Sequence, residues 1–404
     1  MWEKDIDIYQ VQELRVKPNV YFGVGAINKI SDALKDLKTK GVEKIIVISG
    51  RGAYKSTGAW DVVEKALIEN GIGYTNYAKV TPNPTADQVD EAAQQAKDFG
   101  ATAVMGIGGG SPIDTAKSVA ILLANEGVTC RDVYEFKFIP EKAVPIVAIN
   151  LTHGTGTEVD RFAVVTIPET QYKPAIAYDC IYPSYAIDDP GLMTKLSKEQ
   201  TVYVSIDAVN HSIEAATSKV ASPYSISTAK ECIRLVAKYL PIINKNPDDL
   251  EARYYLLYAS LLGGVSFDNG LLHFTHALEH PLSGMKPQLT HGLGLGIILP
   301  AVVKYIYPAK AKTLADILGP AIPDLSSDPS GGEEAAKKVE KWLVDMGVTT
   351  KLKDEGFTEE DVDKLVNLAF TTPSLDGLLS IAPVEATKEV VRAIYTESLT
   401  PYNK

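Results

Sequence analysis

Through the first half of the chain, short β-branched runs alternate with segments of helical spacing. KIIVIS (44–49) and TAVMGI (102–107) predict strands, while WDVVEKALIEN (60–70) and IDTAKSVAILLA from Ile113 predict helices. Between them, PNPTADQVDEAAQQAKDFG opens a helix with Thr85 and Gln88 at capping-box spacing and closes it at Gly100. This alternation predicts a mostly parallel sheet covered by helices on both faces. VPIVAI, RFAVVTI and PAIAY predict further short strands, ending near YAIDDPGLM, whose Asp-Asp-Pro-Gly cluster is the expected boundary. Beyond it the periodicity is helical in KEQTVYVSIDAVNHSIEAATSK, SISTAKECIRLVAKYLPIINK, ARYYLLYASLLGG and GGEEAAKKVEKWLVDMG. The expected organisation is an α/β domain over 1–189 and an all-α domain over 190–404, with GPAIPDLSSDPSGG (319–332) as a surface connection.

Composition narrows this picture without changing it. A chain of 404 residues, 45% apolar and 23% charged, is long enough for two cores and has the balance of a globular protein. Its net charge of −11 repels phosphate backbones and anionic bilayers, so neither nucleic acid nor membrane is an expected partner. Cys130, Cys180 and Cys232 are too few and too scattered for a disulfide framework and read as reduced thiols. The opening MWEKDIDIYQ carries charges where an export signal is apolar, so a cytoplasmic location is expected. LGLGIILPAVV (293–303) is shorter than the ~20 residues that span a bilayer and reads as a core segment.

MGIGGGSPIDTAKS places Gly108, Gly109, Gly110 and Ser111 between a strand and a helix opening at Pro112. Glycines admit a pyrophosphate close to the backbone, and the free N–H groups and positive helix end favour its charge. Gly106, Gly108 and Ser111 nearly fit the dinucleotide fingerprint, but that fingerprint belongs on the first strand of its unit and this turn follows earlier ones. Asp114 and Lys117, three apart, read either as a surface ion pair or as cofactor contacts. A second polar loop after an apolar strand, NLTHGTGTE (150–158), offers Thr152 and Thr155; on adjacent strands the two loops make one crevice. The strand KIIVIS ends in Gly50 and Arg51, with no acid to take a ribose 2'-hydroxyl, and a guanidinium there suits a 2'-phosphate. The expected cofactor is a nicotinamide dinucleotide, NADP favoured over NAD.

HFTHALEHPLSGMKPQLTH (273–291) holds four of the six histidines. In a helix His273, His276 and His280 fall near one face, while upstream Asp207 and His211 are four apart and can converge on one ion. His291 follows a Pro- and Gly-containing loop able to return it towards His276. Imidazole and carboxylate donors suit a divalent transition metal. Spacing leaves the ligands open among His273, His276, His280 and His291.

YFGVGAI, PNPT, GIGGGSPIDTAKS, THGTGTEVD, IDAVNHSIEA, HALEHPLSG and HGLGLGIILP, in this order, resemble the iron-containing, or group III, alcohol dehydrogenases over nearly the whole chain. The resemblance implies a metal held by Asp207, His211, His276 and His291, Fe(II) first with Zn(II) as the alternative. It implies His280 near the reaction centre as a proton carrier. Gly108 to Ser111 and Asp114 match the pyrophosphate side, with Asn83 and Lys173 also at the cofactor and Arg51 near the position of an NAD-selecting acid. The implied architecture is a cleft between a nucleotide-binding domain and a helical metal domain. The implied reaction is hydride transfer between NAD(P) and a small primary alcohol or aldehyde, with the metal stabilising the alkoxide; a homodimer is compatible with it. Two features depart from the family pattern: His153 inside the nicotinamide-side loop, and His273, read as a helix-face histidine. The rival expectations are an NAD- and metal-dependent lyase of the 3-dehydroquinate synthase type and a non-catalytic metal- or nucleotide-binding protein.

Overall fold

The computed structural model describes Tyr9, Gln12–Arg15 and residues 17–402. Apart from Tyr9, the charged opening decapeptide lies outside the described residues. The chain divides into two compact units, and each takes more than one stretch of it. The first comprises Met1–Val165, Ile176–Leu196 and Asn246–Leu257; the second comprises Thr166–Ala175, Ser197–Lys245 and Tyr258–Lys404. A single cut after residue 189 cannot express that exchange of segments.

The first unit is built on β1 (Gln12–Arg15), β2 (Asn19–Phe22), β3 (Lys44–Gly50), β4 (Gly73–Val80), β5 (Ala103–Gly108), β6 (Ile146–Asn150), β7 (Phe162–Val164), β8 (Ala175–Ala177) and β9 (Tyr185–Asp188). Seven of these form one sheet in the order β1-β2-β9-β6-β5-β3-β4, and β7 pairs with β8 separately. Every neighbouring pair in the large sheet is parallel except β1 with β2. Its helices are α1 (Ile30–Thr39), α2 (Ala53–Ser56), α3 (Ala59–Glu69), α4 (Ala86–Phe99), α5 (Gly110–Ala124) and α6 (Cys130–Tyr134).

Side-chain alternation along the strands assigns the faces. Ile45, Val47, Met105, Ile107, Val147, Ile149 and Ile187 join Ile30, Leu34, Leu37, Val63 and Leu67 of α1 and α3 in one core. On the opposite face Gly106 lies against α5, where a Cβ would meet Ala116 Cβ and Ile113 Cα at 3.0 Å. The expected start of α4 forms as a capping box: Gln88 N donates to Thr85 Oγ1 at 3.3 Å and Thr85 N to Gln88 Oε1 at 3.2 Å. Gly100 closes the helix at φ 75°, a conformation that glycine adopts without penalty. GYTNYAKV, which forms β4, carries no apolar run, because β4 pairs only with β3 at the sheet edge.

From β3 the chain winds outward to β4, and from β5 it winds the other way through β6 to β9. The winding therefore reverses between β3 and β5, and doubly wound sheets bind ligands at the carboxyl ends of the strands flanking such a point.

The second unit is helical: α7 (Lys198–Thr217), α8 (Pro223–Lys245), most of α9 (Leu250–Gly270), α10 (Phe274–Met285), α11 (His291–Leu318), α12 (Gly332–Met346), α13 (Val362–Thr371), α14 (Leu375–Ser380) and α15 (Lys388–Glu397). Both α7 and α10 are buried along nearly their whole length, so they carry residues on every face that are apolar or internally bonded. The short apolar run 293–303 lies within α11, the one helix among the described residues long and apolar enough to cross a bilayer. Burial covers 78% of its most apolar window, as befits a core helix.

Candidate metal and dinucleotide sites

On α7, Asp207 and His211 are one turn apart and their side chains meet, with His211 Nε2 3.4 Å from Asp207 Oδ1. From α10, His276 brings Nε2 to 3.6 Å from the same oxygen, and from the first residue of α11, His291 brings Nε2 to 3.9 Å. The His276 ring stacks on His211 at 4.6 Å between centroids and lies 5.4 Å from His291. Three imidazole nitrogens thus surround one buried carboxylate oxygen. Neither Asp207 Oδ1 nor His276 Nε2 has a hydrogen-bond partner. Arms of ~2.1 Å in a tetrahedron place its corners about 3.4 Å apart, so the donor set fits a divalent ion. Burial opposes charge on Asp207, but the three imidazoles more than offset it and lower its pKa.

The groups behind two of these imidazoles are carboxylates. Glu214 Oε2 accepts from His276 Nδ1, and Glu279 Oε2 accepts from His291 Nδ1. Lys173, expected at the cofactor, belongs to the second unit and lies in this cluster, its ammonium 3.3 Å from Glu279 Oε2 and 3.4 Å from His291 Nδ1. Glu279, His280 and His291 form a second close grouping of donors. The His291 nitrogen nearest Glu279 is Nδ1, which also faces Lys173, whereas its Nε2 faces Asp207.

The remaining histidines separate cleanly. His280 lies beside the ligands, 5.9 Å from the His291 ring and 6.5 Å from His276. It lacks an unperturbed pKa: burial, then the Lys173 charge, push it well below 6.5 and keep it neutral. His273 is not on the helix face. It is the N-cap of α10, where Nδ1 accepts from Phe274 N at 2.7 Å and Nε2 donates to Thr217 Oγ1 at 2.9 Å. Both nitrogens are occupied, so it has none to offer a metal. His153 is buried and neutral, its pKa lowered to about 3 by burial and by Arg253, whose Nη1 donates to His153 Nε2 at 3.1 Å.

In the first unit, Gly50 ends β3 and Arg51 follows it, Asn83 follows β4, Gly108 ends β5 with Gly109 to Ser111 leading into α5, and Thr152 and Thr155 follow β6, all at the carboxyl ends of strands around the reversal. Gly109 and Gly110 are small because their neighbours are close. A Cβ would stand 2.8 Å from Thr152 Cγ2 at Gly109 and 2.8 Å from Thr155 Cγ2 at Gly110. No side chain caps the first turn of α5, which leaves its N–H groups to an anion. Arg51 is exposed.

Asp114 and Lys117 are not a surface ion pair. Lys117 is fully buried, and its ammonium donates to Thr157 Oγ1 (2.8 Å), Asp160 Oδ1 (2.8 Å), Asp160 O (3.0 Å) and Phe162 O (2.7 Å). Asp114 accepts from Thr157 Oγ1 at 2.7 Å and Val164 N at 3.0 Å. Both side chains brace the stretch after β6 against α5. Glu214, Glu279 and Asp160 are site residues that sequence reasoning passed over. The only signal was helical spacing, since Glu214 is three after His211 and Glu279 three after His276.

A carboxylate with three imidazoles in the helical unit, and a glycine turn on the reversing parallel sheet of the other, coincide with a family match in each half. The description "iron-containing alcohol dehydrogenase" fits residues 17–190, and that of the family's C-terminal region fits residues 201–399. The chain belongs to the iron-containing alcohol dehydrogenase family. It is 63% identical over 398 residues to a long-chain primary alcohol dehydrogenase of Thermoanaerobacter ethanolicus, covering 98% of this chain and 100% of that one. It is 30% identical over 380 residues to an NAD-dependent methanol dehydrogenase of Bacillus methanolicus, covering 93% and 98%. Among solved structures it matches an NADH-dependent butanol dehydrogenase of Thermotoga maritima with a TM-score of 0.87 and 30% identity, covering 97% of this chain and 100% of that one. As an iron-containing alcohol dehydrogenase it transfers a hydride between NAD(P) and an alcohol or aldehyde, with iron and NAD(P) as the family's cofactors. The lyase and the non-catalytic reading are thereby set aside.

Proposed function

We propose that this alcohol dehydrogenase is an NADP-preferring, Fe(II)-loaded reductase of aldehydes to primary alcohols, with Zn(II) as the alternative metal. The observation that carries the metal assignment is the convergence of His211, His276 and His291 Nε2 on the unpartnered Asp207 Oδ1. A divalent ion held there stabilises negative charge on the alcohol oxygen, and the nicotinamide supplies or accepts the hydride. The buried, neutral His280 stands beside the ligands to pass on the alcohol's proton. In the first unit, Gly108 to Ser111 and the open first turn of α5 bind the pyrophosphate, with Asn83, Thr152 and Thr155 in the neighbouring loops and Asp114 on α5. Lys173 sets the charge around Glu279 and His291, a role the hydrogen bonds favour over a cofactor contact.

The exposed Arg51 after β3 supports NADP, since it can pair with a 2'-phosphate. The likeness to a long-chain primary alcohol dehydrogenase supports primary alcohols with extended apolar chains as substrates. The net charge of −11 and three free thiols support a cytoplasmic enzyme of small molecules, without nucleic acid or membrane partners, and a homodimer is its proposed assembly.

The deciding assay reconstitutes the protein with Fe(II) or Zn(II) and follows NADPH or NADH oxidation over a series of linear aldehydes. Arg51→Asp removes a charge-assisted contact worth about 1.5–3 kcal/mol and should lower kcat/KM for NADPH about 10- to 100-fold, with NADH unaffected or improved. An unchanged NADPH to NADH ratio in that variant would sink the assignment to Arg51.

A further inference from the structure

We infer that Glu214 is a positioning residue that locks His276 in the one tautomer able to bind the metal; this rests on the metal site proposed above. Glu214 Oε1 accepts three backbone N–H groups at the start of α10, from His273 (2.9 Å), Thr275 (2.8 Å) and His276 (3.3 Å). Its Oε2 accepts from His276 Nδ1. A single buried carboxylate on α7 therefore caps α10 and orients the ligand that α10 carries. An ionised carboxylate only accepts, so a neutral His276 ring must carry its proton on Nδ1 and its lone pair on Nε2, the atom facing Asp207.

Neither of the other two imidazole ligands is held by a carboxylate alone. His291 Nδ1 donates to Glu279, and a competing donor, the Lys173 ammonium, stands 3.4 Å from the same nitrogen. His211 Nδ1 has no partner at all. Among the three, only His276 pairs Nδ1 with a carboxylate and no competing donor, so its neutral ring offers Nε2.

Glu214→Gln separates the two duties. Three backbone donors require the amide oxygen at the Oε1 position, which turns the amide NH2 towards His276 Nδ1. An amide NH2 only donates, so the imidazole proton must move to Nε2 and block the coordinating lone pair. The cap survives while the tautomer inverts.

The test titrates metal-free protein with Co(II) against a competing chelator. E214Q should bind at least tenfold more weakly than the parent, the scale expected for loss of an outer-shell partner, while the metal-free melting temperature at pH 10, where the His276 ring is neutral, stays within about 2 °C. A loss smaller than tenfold overturns the inference. Should E214Q fold poorly, the imidazole 15N shifts of His276 in the metal-free parent at pH 10, where the ring is neutral, decide: a protonated Nδ1 with a bare Nε2 supports the lock, and the reverse overturns it. If the parent itself takes up no Co(II), it is the metal site that falls, a result distinct from a parent and E214Q that bind alike.

Discussion

Lys117→Met tests whether the buried ammonium holds the stretch after β6 in place. Its four hydrogen bonds, all 2.7–3.0 Å, end on Thr157, Asp160 and Phe162, and both members of the Lys117–Asp160 pair are fully buried. Methionine keeps the volume of the stem but leaves the Asp160 carboxylate without its counter-charge. Removing one member of a buried pair costs about 3–5 kcal/mol. For a unit of roughly two hundred residues that corresponds to an apparent melting shift of about 6–20 °C. The deficit has a sign in pH. Burial already raises Asp160 to about 7 against the opposing pull of Lys117, and without Lys117 it rises further. In the variant, protonated Asp160 limits the damage at low pH, and that relief is lost as pH rises through the folded pKa, so K117M is hurt more at pH 9 than at pH 6. Thermal melts of the parent, K117M and the double variant K117M/D160N at the two pH values measure this, with the double variant recovering part of the loss. A K117M melt within 2 °C of the parent, or a larger deficit at pH 6 than at pH 9, refutes the reasoning.

Gly109→Ala puts a methyl group 2.8 Å from Thr152 Cγ2 and should raise KM for the dinucleotide about tenfold with a smaller effect on kcat; steady-state kinetics at saturating aldehyde check it, and an unchanged KM counts against the glycine turn. In the metal-free protein Glu214 and Asp207 overcome burial and raise His276 to about 9, above its unfolded value near 6.5. Its contribution, on the order of 3 kcal/mol, is complete below pH 6.5 and lost as pH rises through 9, which urea unfolding at pH 6.5 and 9.5 would record; equal His276-dependent stability at both pH values contradicts it.

The alternation of β-branched and helical segments, the α4 capping box and the glycine turn were legible in the chain because each is written within a few consecutive residues. The pairing of Asp207 with His211 was legible for the same reason, since one helical turn brings them together whatever surrounds them. Family resemblance then selected His276 and His291, which spacing alone had left open. Only the tertiary structure shows why those two face Asp207 and His273 does not. The backbone turns at His273 to begin α10, and both its ring nitrogens are spent on the cap and on Thr217. Lys117 looked like a surface residue three positions from Asp114, yet its partners are some forty residues away. Glu214 and Glu279 carried nothing in sequence beyond helical spacing, because a carboxylate's role is set by which donors folding delivers to it, here three backbone amides and two imidazoles. Local chemistry follows from neighbours along the chain; the tautomers, the buried charges and the convergence on Asp207 depend on neighbours in space.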